Sequence, residues 1–256
     1  MAGDFSLDGK AALVIGASNP IGRAVAVALA EAGADVGVAT TTTANEETVR
    51  ANSCANEIWA LDRKHFTHII HAGDEADVEA VVHRTVSELG RIDILVNAQD
   101  LPFAKPVLET DYFEWHAVLN ANLGGVFLAS KYAAREMIKH KWGRIINVAS
   151  VLGERGLVNG AAYCAADAGV INLTRALALE WARDGIKVNA IGAGWTEGMG
   201  MIGGDEGKQQ LERYLPYKRL AKPEEIAGAA VYLASDAADY LTGQVVWIEG
   251  GALSHV

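Results

Sequence analysis

Short apolar runs alternate with stretches of helical period along the whole chain. Residues 11–16 (AALVIG), 35–40, 66–70, 92–97 (RIDILVN runs into it), 144–149, 187–191 and 245–249 have strand length and near-continuous apolar character. Between them, residues 20–32, 46–61, 74–89, 112–140, 163–183 and 223–234 carry apolar positions at helical spacing. A bend is expected in the long helix near Gly124 and Gly125. Strands without polar alternation need cover on both faces. The pattern therefore predicts an α/β fold, with a seven-stranded parallel sheet, doubly wound, and helices on both faces. One domain over residues 1–256 accounts for it. Residues 195–217 hold no sustained period, and the expectation there is a lid-like insertion. In such sheets ligands bind beyond the carboxyl ends of the strands, so those ends are where chemistry is sought.

Composition narrows the partners. The net charge of −10 argues against nucleic-acid phosphate and against anionic membrane surfaces. Cys54 and Cys164 are the two cysteines, which is neither a disulfide framework nor a zinc spacing, and a reducing cytoplasm is the expected compartment. No basic start precedes an apolar stretch at the N-terminus, and no apolar run approaches bilayer length. His65, His68 and His71 recur every three residues, which alternates faces on a strand, so no metal site is expected. Cys164 has no base at a helical offset and reads as a structural thiol.

Several stretches together resemble the short-chain dehydrogenase/reductase (SDR) family. They are residues 7–18 (LDGKAALVIGAS), 91–97 (RIDILVN), 143–150 (GRIINVAS), 222–227 (KPEEIA), Ala234-Ser-Asp and Thr242-Gly-Gln. The resemblance covers the whole chain and implies a Rossmann-type fold and NAD(P)-linked interconversion of a secondary alcohol and a ketone. It puts the family's catalytic tyrosine at Tyr163, its serine at Ser150 and its asparagine at Asn122. Gly16, Ser18, Asn19, Ile21, Gly22 and Asn97 fall on its cofactor positions. The family's lysine, four residues past the tyrosine on the same helix face, is Asp167 here. No lysine occurs anywhere in residues 163–183, and Arg175 is too far along the helix to reach Tyr163.

Other departures fall on the same strand ends. Pro20 replaces a glycine of the phosphate turn, adding a ring and deleting an N–H. Thr40 stands where an acid or an arginine would choose between NAD and NADP. His71 replaces an aspartate on the adenine side, Gln99 and Asp100 replace small residues, and Ala193 replaces a proline. A carboxylate beside a tyrosine disfavours tyrosinate, by ~4 kcal/mol for unit charges ~4 Å apart at an effective dielectric of ~20. Tyr163 is then a poor general base.

The expectation is a degenerate member, a pseudoenzyme. It would bind no NAD(P) tightly and serve as the non-catalytic subunit of a hetero-oligomer, a tetramer, with a complete relative that holds NAD. Self-assembly is the other option, and the small-residue face Ala165, Ala166, Ala168 and Gly169 would serve either. The family contains such a pair in the hydroxyacyl-CoA dehydrogenase that acts on 2-[hydroxy(phenyl)methyl]succinyl-CoA in anaerobic toluene breakdown. General likeness makes that complex a candidate, and no motif here specifies its substrate. The alternatives are an active NAD(P)-dependent oxidoreductase that tolerates Asp167, and a non-redox small-molecule binding protein on the same scaffold.

Overall fold

Five strands bury nearly every side chain, and their order explains why. In this computed structural model, which describes residues 4–41, 45–200 and 204–254, the strands are β1 (Ala11–Ile15), β2 (Asp35–Thr40), β3 (His65–Ile69), β4 (Ile94–Asn97), β5 (Gly143–Ser150), β6 (Ile186–Ala193) and β7 (Val245–Ile248). They form one sheet in the order β3-β2-β1-β4-β5-β6-β7, and every neighbouring pair is parallel. Helices α1 (Pro20–Glu31), α2 (Asn45–Ala60) and α8 (Pro223–Ala234) cover one face. Helices α3 (Glu75–Leu89), α5 (Gly125–Met137) and α6 (Ala161–Trp181) cover the other. The doubly wound α/β architecture expected from the apolar pattern is present. Among the described residues no helix is long and apolar enough to cross a membrane.

The predicted helix over residues 112–140 is divided. It runs as α4 (Tyr112–Leu119), a π-helical turn over Asn120–Gly124, α5, and a short 3-10 turn ending at His140. The bend sits at the expected glycines, where Gly125 packs against the Ala72 carbonyl with no room for a side chain. The π turn carries Asn122.

Within residues 195–217 the structure differs from the reading of the sequence. The segment contains a helix, α7 (Gly204–Tyr214), none of whose residues is buried. Only Leu211 and Tyr214 pack inward, onto Leu215, Leu220 and Ala252. Two apolar contacts in eleven residues are too sparse to register as a period. Residues 201–203 lie outside the described residues.

The sheet order reverses between β2 and β4, on either side of β1, and this switch point opens a crevice at the strand ends. The turn after β1 is built by glycines. Gly16 has φ +86° and lies against the backbone of Ala98 and Gln99. A methyl group on Gly22 would run into the Gly16 carbonyl, which is backbone and cannot swing aside. Gly22→Ala is therefore expected to lose roughly 1–3 kcal/mol or more of stability, read as a lower denaturant midpoint. This holds whether or not the turn binds a ligand.

Candidate functional site

The ends of β1, β4, β5 and β6 converge on one cavity. Its wall includes Asn19, Ile21, Gln99, Asp100, Asn122, Ser150, Tyr163, Asp167, Ala193 and Trp195. Ser150 ends β5, and its N–H donates to Asp167 Oδ1 at 2.9 Å while its hydroxyl accepts from the Leu152 N–H. Tyr163 and Asp167 lie one turn apart on α6 and both face inward. The Tyr163 hydroxyl donates to Asp100 Oδ1 at 2.8 Å. Asn122 holds the segment that carries Asp100, because its side chain accepts from the Leu101 N–H at 2.8 Å and donates to the Leu101 carbonyl at 3.1 Å. The structure thus brings Asn122, Ser150, Tyr163 and Asp167 together, as the sequence implied, and adds Asp100 as a direct partner of the tyrosine.

The electrostatics follow from burial without a counterion. No lysine, arginine or histidine lines the cavity among the described residues. Burial pushes the Tyr163 phenol well above its ordinary range, and the carboxylates of Asp167 and Asp100 push it further. Burial pushes Asp167 up to about 7, against a smaller lowering from the Ser150 N–H. Burial also raises Asp100, partly offset by the hydrogen bond from Tyr163. Burial raises the Cys164 thiol too, which agrees with an inert structural cysteine. Gln99 is 8% exposed, and neither its amide nitrogen nor its amide oxygen has a hydrogen-bond partner.

The phosphate end of the crevice is also altered. Pro20 occupies the first position of α1 and offers no N–H, while the Gly22 N–H donates to the Asn19 side chain. Asn19 is held in turn by donating to the Ala98 carbonyl. Two of the donors that a helix start turns toward an anion are thus missing or already engaged.

A family profile described as enoyl-(acyl carrier protein) reductase matches residues 16–252. The chain is 35% identical over 255 residues to the 2-dehydro-3-deoxy-D-gluconate 5-dehydrogenase of Dickeya dadantii, covering 98% of each chain. It is 34% identical over 249 residues to the 3-oxoacyl-[acyl-carrier-protein] reductase FabG of Aquifex aeolicus, covering 97% of this chain and 99% of that one. The chain belongs to the short-chain dehydrogenase/reductase family. Among solved structures, a gluconate 5-dehydrogenase from Burkholderia cenocepacia in complex with NADP and tartrate superposes with a TM-score of 0.91 at 31% identity, covering 100% of this chain and 99% of that one.

As an SDR, the chain departs from its sequence-level description at several positions. Glu47, on α2, accepts hydrogen bonds from the Ser18 hydroxyl at 3.0 Å and from the Thr40 hydroxyl at 3.4 Å. An acid therefore stands at the end of β2, although Thr40 itself is neutral. That acid suits a ribose 2′-hydroxyl and opposes a 2′-phosphate. A residue on the next helix gives no signal at the β2 position, so reading the strand end alone missed it.

Asn97 lies outside the cavity wall. Its amide donates to Asn147 on β5 and to Ser130 on α5. Gly16, Ser18 and Gly22 form the turn after β1 beside the cavity, and Ile21 lines it. His71 is exposed, and its ring bonds the Asp77 carboxylate at 2.7 Å. Ala166 is buried in the chain's own core, so only Ala165, Ala168 and Gly169 of the expected small-residue face reach the surface.

At the tyrosine end no lysine is present to hold a nicotinamide ribose, and Asp167 stands in its place. At the β2 end Glu47 fits an adenosine ribose.

Proposed function

We propose that this chain serves NAD-linked alcohol–ketone chemistry as a non-catalytic SDR subunit whose own site binds dinucleotide weakly or not at all. One observation carries the reading: the Tyr163 hydroxyl is engaged by Asp100, with Asp167 behind it and no cation in the cavity wall among the described residues. A phenol between two carboxylates holds its proton and is a poor base at neutral pH. The partner in this reading is a homologous SDR subunit with a complete Tyr-x-x-x-Lys pair. An exposed apolar surface supports assembly. Phe113, Phe127, Gly169 and Leu173 line a shallow groove on α4, α5 and α6. Neither the cavity nor the names of the relatives support 2-[hydroxy(phenyl)methyl]succinyl-CoA, and the proposal carries no substrate.

The second reading is an active NAD-dependent oxidoreductase that interconverts a secondary alcohol and a ketone. Glu47 at the ribose position favours it, and so do the relatives, which are named as dehydrogenases and a reductase. Calorimetric titration of the purified chain with NADH and with NADPH separates the two readings. The non-catalytic reading expects dissociation constants in the millimolar range or no heat. Micromolar binding of NADH, with turnover of an alcohol or ketone, establishes the second reading and overturns the first.

A further inference from the structure

The cavity at the strand ends has the chemistry of a cation site. Two carboxyl groups from different elements face it, Asp100 after β4 and Asp167 on α6. Each has one oxygen bonded within the protein, to the Tyr163 hydroxyl and to the Ser150 N–H respectively. No described residue bonds the second oxygen of either. Ionised carboxylates in a largely buried site without a counterion are destabilised there. Both groups are accordingly pushed toward their protonated forms.

An independent feature points to a ligand at the same place. Gln99 lines the cavity, is more than nine-tenths buried, and has both ends of its amide unpaired. A buried amide left without partners costs ~1–3 kcal/mol, and a bound molecule with a donor or acceptor removes that cost. Trp195 lines the same cavity, and its ring carries the Arg155 guanidinium 5.7 Å from its centre.

We infer that this cavity binds a small organic ammonium compound, its cationic nitrogen between Asp100 and Asp167 and a hydroxyl or carbonyl group of the ligand against Gln99. A primary ammonium offers three donors, and the two free carboxylate oxygens take two of them. The inference rests on the reading that a dinucleotide does not fill the cavity.

The test is calorimetric titration at about pH 8.5, where Asp167 is ionised and alkylammonium ions remain charged. The compounds are ethanolammonium, butylammonium and 2-phenylethylammonium, each paired with its neutral alcohol: ethylene glycol, butanol and 2-phenylethanol. At least one ammonium compound is expected to bind saturably, at least tenfold tighter than its alcohol partner. Asp167→Asn is expected to weaken that binding at least tenfold, and Gln99→Leu to weaken ethanolammonium more than butylammonium. No binding by any ammonium compound, or equal binding of ammonium and alcohol, overturns the inference. The neutral alcohols separate charge recognition from apolar binding in the parent chain, and circular dichroism with thermal unfolding of each variant establishes that it is folded. NADH titration of the same sample reports separately on the dinucleotide reading. NADH binding with no ammonium binding overturns both. Absence of both overturns the cation site alone.

Discussion

Asp167→Asn raises the stability of this protein at pH 8, and the gain shrinks as pH falls. The cause is the carboxyl's burial, which lifts its pKa from the ordinary 3.8 to about 7. A group with a raised folded-state pKa binds a proton more readily in the native state than in the unfolded one. For an acid this means that stability is greatest below the unfolded value, falls as pH rises from about 4 to about 7, and is lowest and level above that. A shift of about three units at ~1.4 kcal/mol each amounts to roughly 4 kcal/mol at its full extent.

Asparagine keeps the oxygen that accepts the Ser150 N–H and removes the titration. The variant is expected to melt roughly 5–10 °C higher at pH 8. At pH 5 its advantage falls to roughly 1–2 kcal/mol, because the native carboxyl is then protonated and only the unfolded one is partly ionised. Thermal unfolding of both proteins from pH 5 to pH 8.5 checks this. The informative quantity is their difference at each pH, which removes the other titrating groups. A difference that does not change with pH would falsify the raised pKa of Asp167. This outcome is independent of what the cavity binds.

The second large effect is a gain of function. Asp167→Lys combined with Pro20→Gly is expected to strengthen NADH binding at least tenfold over the parent chain, about 1.4 kcal/mol. The two positions act at opposite ends of the crevice. At residue 167 an ammonium one helical turn from Tyr163 replaces repulsion by attraction, which favours tyrosinate and supplies a donor for ribose hydroxyls. The new charge also faces Asp100, which compensates it on the cavity wall. At residue 20 glycine restores an N–H at the start of α1 and removes the ring next to the turn.

Glycine is tolerated at a helix start, where little regular structure is lost, so the substitution is mild for the fold. Calorimetry with NADH and NADPH measures the gain. Glu47 near the 2′ position should make NADH the tighter of the two. If the double variant binds no better than the parent, the crevice is closed to dinucleotide for a reason other than these two positions. If the parent already binds in the micromolar range, the cofactor site is intact and the non-catalytic reading falls.

The α/β architecture and the strand-end location of the site were legible along the chain. Seven apolar runs of strand length, punctuated by helical period, admit little besides a covered parallel sheet. Strand and helix periods are local properties, set by the backbone within a few residues, and they survive in a linear reading. Asp167 was legible for the same reason, because its relation to Tyr163 is one turn of a single helix. Helix α7 escaped because a helix that rests on two side chains leaves almost no apolar imprint.

The tyrosine's surroundings needed the tertiary structure. Asp100 meets Tyr163 across 63 positions of sequence, because β4 and α6 deliver their ends to the same crevice. Glu47 reaches the β2 end from the next helix, and Asn97 turns away from the cavity into an amide pair with Asn147. The unpaired amide of Gln99 is a statement about what surrounds it, and no pattern of its neighbours in sequence contains that. By itself the sequence determined the scaffold and the absence of the family lysine, since both follow from short-range spacing. Only the tertiary structure decided that the vacated position belongs to a buried acidic cavity, because desolvation and pairing depend on which distant strand ends come together.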